Sequence, residues 1–211
     1  SSAASDVYKR QIILFKTILS KLYHWKIYVV GSVEYQYPNH LFQAGYFLDK
    51  KYYDENTIDF KHLLLSEKNQ SLLKDIQNSN SVGVHIRRGD YMTKQNLVIF
   101  GNICTQKYYH DAIRIITEKV NDAVFYVFSD DISWVQTHLD IPNAVYVNWN
   151  TGESSIYDMY LMSSCKYNII ANSTFSYWAA RLNKKTNMVI YPSKWYNTFT
   201  PDIFPESWCG I

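Results

Sequence analysis

The second half of the chain alternates two patterns of apolar residues. Short continuous apolar runs are typical of strands buried on both faces of a parallel sheet, and apolar residues three or four positions apart are typical of amphipathic helices. The pattern predicts strands at Val82–Ile86, Ala123–Phe128, Ala144–Val147, Tyr167–Ala171 and Met188–Tyr191, and helices at Thr105–Val120, Ile132–Leu139, Ser154–Ser163 and Phe175–Leu182. This alternation predicts an α/β fold with a Rossmann-type parallel sheet flanked by helices.

The first 80 residues show less regular patterns. They predict a helix at Ile12–Tyr23, a β-rich segment at Lys26–Gln36, a loop at Gly45–Tyr53 and helical pieces joined near Ser66 within Phe60–Gln77. Residues 1–11 have no apolar period and no initiating Met, so we interpret them as a non-native or disordered leader. We therefore expect three parts: that leader, a partial N-terminal domain at 12–80, and a Rossmann-like domain with a C-terminal tail at 81–211.

Composition and charge exclude some classes of protein. The net charge of +2 is too small for a general nucleic-acid binder, so we expect no nucleic-acid partner and expect bound anions to be met at a local site. Cys104, Cys165 and Cys209 show no zinc-binding spacing, and their sparse, odd count suits a reducing, cytoplasmic compartment. No apolar run approaches the ~18 residues of a membrane span, and peripheral membrane association is left open. The 19 Tyr, 10 Phe and 6 Trp suit either stacking on sugars or core packing.

Polar clusters follow four of the predicted strands. They are His85–Asp90, Ser129–Asp131, Asn148–Asn150 and Asn172–Thr174. The carboxyl ends of parallel strands meet at one edge of a sheet, and ligands of such sheets bind outside that edge. We therefore expect the four clusters to converge on one ligand site.

Arg87 and Arg88 leave the first of these strands together. A guanidinium group pairs with phosphate oxygens and stays charged at any relevant pH, so two of them favour a pyrophosphate site. Gly89 permits a tight turn that would bring the backbone close to a ligand. The alternative is a surface ion pair between Arg88 and Asp90 with no role in binding.

Three further side chains have both a binding and a structural interpretation. His85 could contact a nucleotide or act as a base, although a lone histidine in a strand is more often a buried structural residue. Ser129 or Asp130 could face the ligand, but capping of the next helix by one of them is favoured. Asp130 and Asp131 are adjacent, so their carboxylates would diverge, and we predict no metal site.

Asp158 and the turn at Asn172–Thr174 leave similar alternatives. Asp158 lies in a predicted helix, where it would either point to solvent or accept hydrogen bonds from a guanine, and the residues alone favour solvent. Ser173 and Thr174 precede a helix whose free N–H groups could cradle a phosphate. Capping by either hydroxyl is compatible with that role because a capped helix end keeps spare donors.

Five motifs occur together in a defined order. They are His85–Asp90, Phe128–Asp131, Asp158–Ser163, Ile170–Trp178 and Pro201–Trp208, with Gly45–Phe47 and Lys51–Tyr53 upstream. From Leu41 onwards the chain resembles the α-1,2-fucosyltransferases, which include blood-group H-type enzymes and their bacterial relatives. The resemblance implies a GT-B-like, inverting enzyme that needs no metal or other cofactor. Such an enzyme moves fucose from GDP-fucose to the 2-hydroxyl group of a terminal galactoside on an oligosaccharide or glycan acceptor.

The resemblance also assigns roles to residues. Residues 81–211 would bind the nucleotide sugar, and residues 12–80 would lie on the acceptor side. Arg87 would bind the β-phosphate with support from Arg88, and Asp158 would read the guanine. The GDP-fucose site as a whole would comprise His85, Arg87, Arg88, Ser129, Asp130, Asp158, Asn172, Ser173 and Thr174. Catalysis would rest on Arg87, with Asp90 as a weak candidate base and His85 as a weaker one.

The chain departs from the family pattern in one respect. The family opens with a strand and a Gly-rich loop that contains Gly-Asn-Gln, and residues 1–11 stand where that loop is expected. Two alternatives arise: an inactive fragment that binds GDP or a glycan, and a transferase of the same fold that uses another GDP-sugar or acceptor. For a bacterial member, the expected location is the cytoplasm, with the inner membrane as the surface for any peripheral association.

Overall fold

The computed structural model describes residues 59–211 and, before them, two short strands. These strands, β1 (Tyr28–Val30) and β2 (Phe42–Ala44), pair in parallel. Strand β1 falls within the segment predicted to be β-rich, whereas the leader, the helix at Ile12–Tyr23 and the loop at Gly45–Tyr53 lie outside the described residues. The chain divides into two compact units, residues 1–53 and residues 54–211.

The second unit alternates helices and strands. In chain order these are α1 (Glu67–Asn78), β3 (Asn80–Ile86), α2 (Lys94–Phe100), α3 (Gln106–Lys119), β4 (Ala123–Ser129), α4 (Ile132–His138), β5 (Ala144–Val147), α5 (Ser155–Ser163), β6 (Tyr167–Ile169), α6 (Thr174–Arg181), β7 (Met188–Tyr191) and β8 (Cys209–Gly210). Single turns of 3₁₀ helix occur at Gly89–Met92 and Gly152–Ser154. All five predicted strands and all four helices predicted after residue 81 are present, with ends that differ from the prediction by at most two residues.

The prediction of helical pieces joined near Ser66 within Phe60–Gln77 is confirmed for the piece after Ser66 and wrong for the piece before it. Residues 59–66 are not helical, and a single helix, α1, begins after Ser66. The Ser66 hydroxyl accepts a hydrogen bond from the Asn69 backbone N–H at 3.3 Å and caps the helix. Helix α1 contacts β3 and α5, so it belongs to the sheet-containing unit.

Six parallel strands form the sheet in the order β5-β4-β3-β6-β7-β8. From β3 the chain adds β4 and β5 on one side and then crosses back to add β6, β7 and β8 on the other. The direction of winding therefore reverses between β3 and β6, and a crevice opens at the carboxyl ends of strands at such a reversal. The predicted α/β class with a Rossmann-type parallel sheet flanked by helices is confirmed.

Each face of the sheet has its own apolar core. Along β4, Phe125 and Val127 pack into a core with α3 and α4, while Tyr126 and Phe128 pack into a second core with α1, α5 and α6. Both faces of the strand are covered, which explains why its sequence reads as an unbroken apolar run. Strand β3 follows the same alternation, because its Val84 faces the first core and its Gly83 lies against α5.

The C-terminal tail uses many of the aromatic residues. Phe204 stacks on Tyr191 at 3.9 Å between ring centroids, and Trp195 is buried beside it. Tyr177 of α6 packs against Trp208 and donates its hydroxyl hydrogen to the Ile203 carbonyl at 3.1 Å. In this region the aromatic richness of the chain therefore serves core packing. Within the described part of the chain, no helix combines the length and the apolarity that crossing a membrane requires.

Candidate functional site

A cavity of about 550 Å³ opens at the carboxyl ends of β3, β4 and β5. Five of the predicted site residues line it: His85, Arg87, Ser129, Asp130 and Asp158. Its other walls include Phe175, at the start of α6, and Asn148, Asn150, Thr151 and Gly152, between β5 and α5. The expected convergence of the clusters after β3, β4 and β5 on one site is therefore observed.

Arg87 is held by two carboxylates. Its Nη1 lies 2.9 Å from Asp130 Oδ2, and its Nη2 lies 2.6 Å from Asp90 Oδ1. The other oxygen of Asp130, Oδ1, accepts a hydrogen bond from the backbone N–H of Arg88 at 2.9 Å. Asp130 therefore links the end of β4 to the end of β3 and fixes the guanidinium group at the cavity wall.

Gly89 makes this linkage possible. A Cβ atom at Gly89 would collide with the Asp130 carboxylate. The glycine thus brings the turn close to a protein side chain, whereas the sequence predicted a close approach to a ligand. Any larger residue would have to displace Asp130 and, with it, Arg87.

Arg88 pairs with a different carboxylate from Arg87. Its Nε lies 3.1 Å from Asp131 Oδ2, and its guanidinium carbon lies 3.7 Å from the centre of the Trp134 ring. The predicted surface pair between Arg88 and Asp90 is wrong, because Asp90 pairs with Arg87 instead. Arg88 lines a second cavity and is not among the residues that line the first.

Asp131 caps helix α4. Its side chain accepts a hydrogen bond from the Trp134 backbone N–H at 3.1 Å. This bond, followed by the one from Arg88, lowers the pKa of Asp131 below its ordinary value. The predicted cap by Ser129 or Asp130 is wrong: the Ser129 hydroxyl accepts from the Asp131 N–H at 3.0 Å, and Asp130 bonds to Arg88. Asp130 is thereby left to face the cavity.

His85 is buried at the base of the first cavity. Its ring lies 5.1 Å from that of Phe175, and its buried Nδ1 has no hydrogen-bond partner within the part of the chain that the structure describes. Burial and the nearby charge of Arg87 lower the pKa of His85 to about 3, so the imidazole is neutral near pH 7. A buried ring nitrogen without a partner is costly unless a ligand or a water molecule satisfies it.

Asp158 is also buried and lines the same cavity. Only 9% of the residue is exposed, so the solvent-facing position that the residues alone favoured is wrong. Burial raises the pKa of Asp158 to about 7, although a hydrogen bond from Asn150 Nδ2 at 2.6 Å favours the charged form. A strongly perturbed carboxylate at a cavity wall is typical of a binding or catalytic group.

The turn after β6 has a structural role in this structure. Asn172 is buried, donates to the Trp195 carbonyl at 3.0 Å and accepts from the Cys104 thiol at 3.4 Å. Ser173 makes no side-chain capping bond, so the predicted capping by this hydroxyl is wrong. Among the described residues, Asn172 contributes to the second cavity, whereas Ser173 and Thr174 line neither of the two.

The second cavity has a volume of about 250 Å³ and shares Arg87 with the first. It lies between the end of β3, helix α2 and the start of α3, and its walls include Arg88, Tyr91, Phe100, Cys104 and Asn172. Arg87 therefore stands between a larger cavity that contains Asp158 and a smaller, more aromatic one. Asp90 lies outside both walls, with 58% of its side chain exposed.

Within residues 59–211, no three His, Cys, Asp or Glu side chains form a group that could hold a metal ion. Metal independence itself stays a prediction. Nine wall residues were not predicted individually from the sequence, among them Phe175, Asn150 and Ser155. Asn150 belongs to a polar cluster after a strand, which was the available signal, whereas nothing in the sequence separates Phe175 from a core aromatic residue.

Comparisons with known proteins give consistent relatives. The pattern of Glycosyl transferase family 11 matches residues 8–211. Alpha-1,2-colitosyltransferase from Escherichia coli is 35% identical over 86% of this chain and 63% of its own length, and the O-antigen biosynthesis glycosyltransferase WbnK from Escherichia coli is 44% identical over 57% and 40%. Galactoside alpha-(1,2)-fucosyltransferase 2 from Pongo pygmaeus is 28% identical over 71% and 48%.

Among solved structures, the fucosyltransferase NodZ from Bradyrhizobium aligns with 58% of this chain and 43% of its own, at 15% identity and a TM-score of 0.39. The match to the family pattern covers nearly all of the present chain. The present chain spans between 40% and 63% of the length of the three curated relatives.

Proposed function

This chain belongs to glycosyl transferase family 11, and we propose that it transfers L-fucose from GDP-fucose to the 2-hydroxyl group of a terminal galactoside. The reaction would invert the anomeric centre and need no metal. The proposal extends the activity named for relatives such as galactoside alpha-(1,2)-fucosyltransferase 2. Residues 59–211 would supply the donor site.

One observation carries the proposal: Arg87 and Asp158 line the same cavity. A guanidinium group suits a diphosphate, and a carboxylate can accept two hydrogen bonds from the N–H groups of guanine. A single cavity thus offers one group for each end of GDP. The cavity lies outside the carboxyl ends of β3, β4 and β5, on the edge where open α/β sheets bind ligands, and Phe175 brings the segment after β6 into its wall.

His85 supports the same assignment. His85 lines the cavity and, among the described residues, its buried Nδ1 has no hydrogen-bond partner, so we assign this residue to contact with the nucleoside. Phe175 closes that side with an apolar ring. With a pKa of about 3, His85 is a weak base, so we propose it for binding and not for proton removal.

Arg87 would stabilise the leaving group. As the bond to fucose breaks, negative charge grows on the β-phosphate, and a fixed guanidinium group lowers the energy of that state. Asp130 and Asp90 hold the guanidinium in place, so little reorganisation is needed. Asp90 is exposed beside Arg87, which makes it the candidate base for the acceptor hydroxyl group among the described residues.

A second candidate donor carries colitose, which lacks one ring hydroxyl group of fucose. It is favoured by the 35% identity to alpha-1,2-colitosyltransferase over 86% of this chain. The reaction and the nucleotide site would be unchanged. A test incubates the chain with GDP-fucose or GDP-colitose and a terminal β-galactoside, and determines the product linkage by NMR.

An α-1,2-linked fucoside supports the first donor, and an α-1,2-linked colitoside without a fucoside supports the second. A different linkage contradicts the proposed reaction. GDP binding without transfer from either donor supports the remaining alternative, an inactive chain that retains only the nucleotide site. Absence of GDP binding contradicts the proposed site.

A further inference from the structure

A chain of hydrogen bonds runs from the buried face of α1 to Asp158. Asn69 of α1 is only 1% exposed, although it is a polar residue in a helix. Its Nδ2 donates to Asn150 Oδ1 at 3.0 Å, and its Oδ1 accepts from Asn150 Nδ2 at 3.1 Å. Asn150 Nδ2 also donates to Asp158 Oδ1 at 2.6 Å. Two amides with reciprocal bonds thus connect helix α1 to the carboxylate in the cavity.

The groups at the two ends of this series of hydrogen bonds fix which atoms donate and which accept. The indole Nε1 of Trp149 can only donate, and it donates to Asn69 Oδ1 at 2.7 Å. At the other end an ionised Asp158 can only accept, so Asn150 must present its amide hydrogen there. Each amide therefore has one orientation that satisfies all its neighbours, and the arrangement has no equally good flipped form.

The arrangement leaves one carboxylate oxygen available. Within residues 59–211, Asp158 accepts its hydrogen bond through Oδ1, and no described side chain donates to Oδ2. Asp158 and Asn150 line the first cavity, and Asn69 lies behind them. Lys68 lies over the Trp149 ring at 3.8 Å and covers the outer side of the same loop.

We infer that Asn69 is a positioning residue for base recognition: through Asn150 it orients the Asp158 carboxylate that selects the guanine of the donor. The inference rests on the proposed function, because it takes Asp158 to be the guanine-reading group. Asn69 lies outside every motif on which the family resemblance depends, and 89 positions separate it from Asp158 in the sequence. A buried asparagine that only held α1 in place would affect stability but not the choice of base.

The test compares GDP with inosine diphosphate, which lacks the amino group of guanine. We expect the wild-type chain to bind GDP about tenfold or more tightly than inosine diphosphate, since one hydrogen bond to a charged group is at stake. In Asn69→Ala the ratio should fall to about threefold or less, because the freed Asn150 no longer holds the carboxylate. Isothermal titration calorimetry measures both affinities.

Two variants control for loss of folding. Leu72→Ala removes buried packing from the same helix without touching the hydrogen-bond chain, and it should keep the wild-type ratio of affinities. Asn150→Ala removes the hydrogen bonds that link Asn69 to Asp158 and should lower the ratio of GDP to inosine diphosphate affinity, as Asn69→Ala does. The double variant should equal either single one, because both remove the same link.

A pH series adds a readout that a purely structural role would not change. The Asn150 hydrogen bond favours ionised Asp158, so the weakening of that bond in Asn69→Ala should move the midpoint of pH-dependent GDP binding to higher pH. The other charged or titratable groups facing the cavity are His85 and Arg87 at β3 and Asp130 after β4, and Lys68 of α1 lies beyond Trp149. None of these changes in the variant.

The outcomes separate the inference from the proposed function. If the wild-type chain binds neither nucleotide, or binds both equally, the guanine site itself is contradicted and the inference falls with it. If the wild type prefers GDP and Asn69→Ala keeps that preference and its pH midpoint, the positioning role of Asn69 is overturned whatever Asn150→Ala does, while the proposed function stands.

Discussion

Asp130 holds Arg87 from one oxygen and the backbone of Arg88 from the other, at 2.9 Å in each case. The two arginines of the motif therefore diverge from a common anchor. Arg87 faces the cavity that contains Asp158, and Arg88 packs over Trp134 beside Asp131. This division of roles yields predictions that distinguish the two side chains.

Gly89→Ala should destabilise the chain through Asp130. The backbone at Gly89 does not have a positive φ, so the cost comes from the collision of the new Cβ with the Asp130 carboxylate. We expect a loss of about 1–3 kcal/mol in the free energy of unfolding, measured by urea denaturation. In the Asp130→Ala background the same change should cost less than about 0.5 kcal/mol, because the obstacle is gone. Equal costs in both backgrounds would contradict the proposed contact.

Arg87→Ala should lower turnover by about 100-fold or more in a version of the protein that transfers fucose, because the leaving phosphate loses its fixed charge. Arg88→Ala is the matched comparison and should lower turnover by less than about tenfold, because Arg88 pairs with Asp131 and does not line the first cavity. Steady-state kinetics with GDP-fucose measures both. Similar losses for the two variants would mean that the arginines share one role.

GDP affinity should depend on pH through Asp158. Its pKa of about 7 in the empty site means that the carboxyl group is increasingly protonated below pH 7 and no longer accepts from guanine as a carboxylate. We expect affinity to fall about tenfold between pH 8 and pH 6. Asp158→Asn should bind GDP more weakly and lack this component, while titration of the GDP phosphate contributes equally to both profiles. Superimposable pH profiles for variant and wild type would remove Asp158 from recognition of the base.

Asp158→Asn should also stabilise the empty chain above pH 7. The pKa of Asp158 is higher in the folded chain than its ordinary value of 3.8, so the folded state is favoured when the group is protonated and loses stability as pH rises from about 4 to 7. The full shift corresponds to at most about 4 kcal/mol. Thermal unfolding at pH 5 and pH 8 should show a larger gain for the variant at pH 8. A gain of the same size at both pH values would contradict an ionised, desolvated carboxylate.

Much of the sheet could be predicted from the sequence because both of its faces are buried. Runs such as Tyr126–Phe128 are apolar without interruption, and that pattern marks a covered parallel strand. Helix α2 was not predicted because none of its residues is buried. Its Val98 and Ile99 are exposed, and its sequence shows no amphipathic period. Strand β8, two residues long, is too short to give a pattern.

The site could be predicted in its location but not in its detail. The cavity follows from the rule that strand ends converge, which Arg87, Asp130 and Asn150 obey, whereas Asp158 was placed in the site only by the family resemblance. The direction of each arginine side chain was not predictable. Arg87 pairs with Asp130 and Arg88 pairs with Asp131, and the sequence does not show which of two adjacent carboxylates meets which arginine. The role of Asn69 depends on contacts across some 80 positions, and local spacing carries no information about these.

The most direct test of the account measures GDP and guanosine binding to the wild-type chain and to Arg87→Ala by calorimetry. If Arg87 meets the diphosphate while Asp158 meets the base, Arg87→Ala should weaken GDP binding by about 100-fold and leave guanosine affinity unchanged within about twofold. Asp158→Asn should weaken both ligands. Equal weakening of GDP and guanosine by Arg87→Ala, or GDP affinity unaffected by either variant, would contradict a single cavity that divides the nucleotide between these two residues.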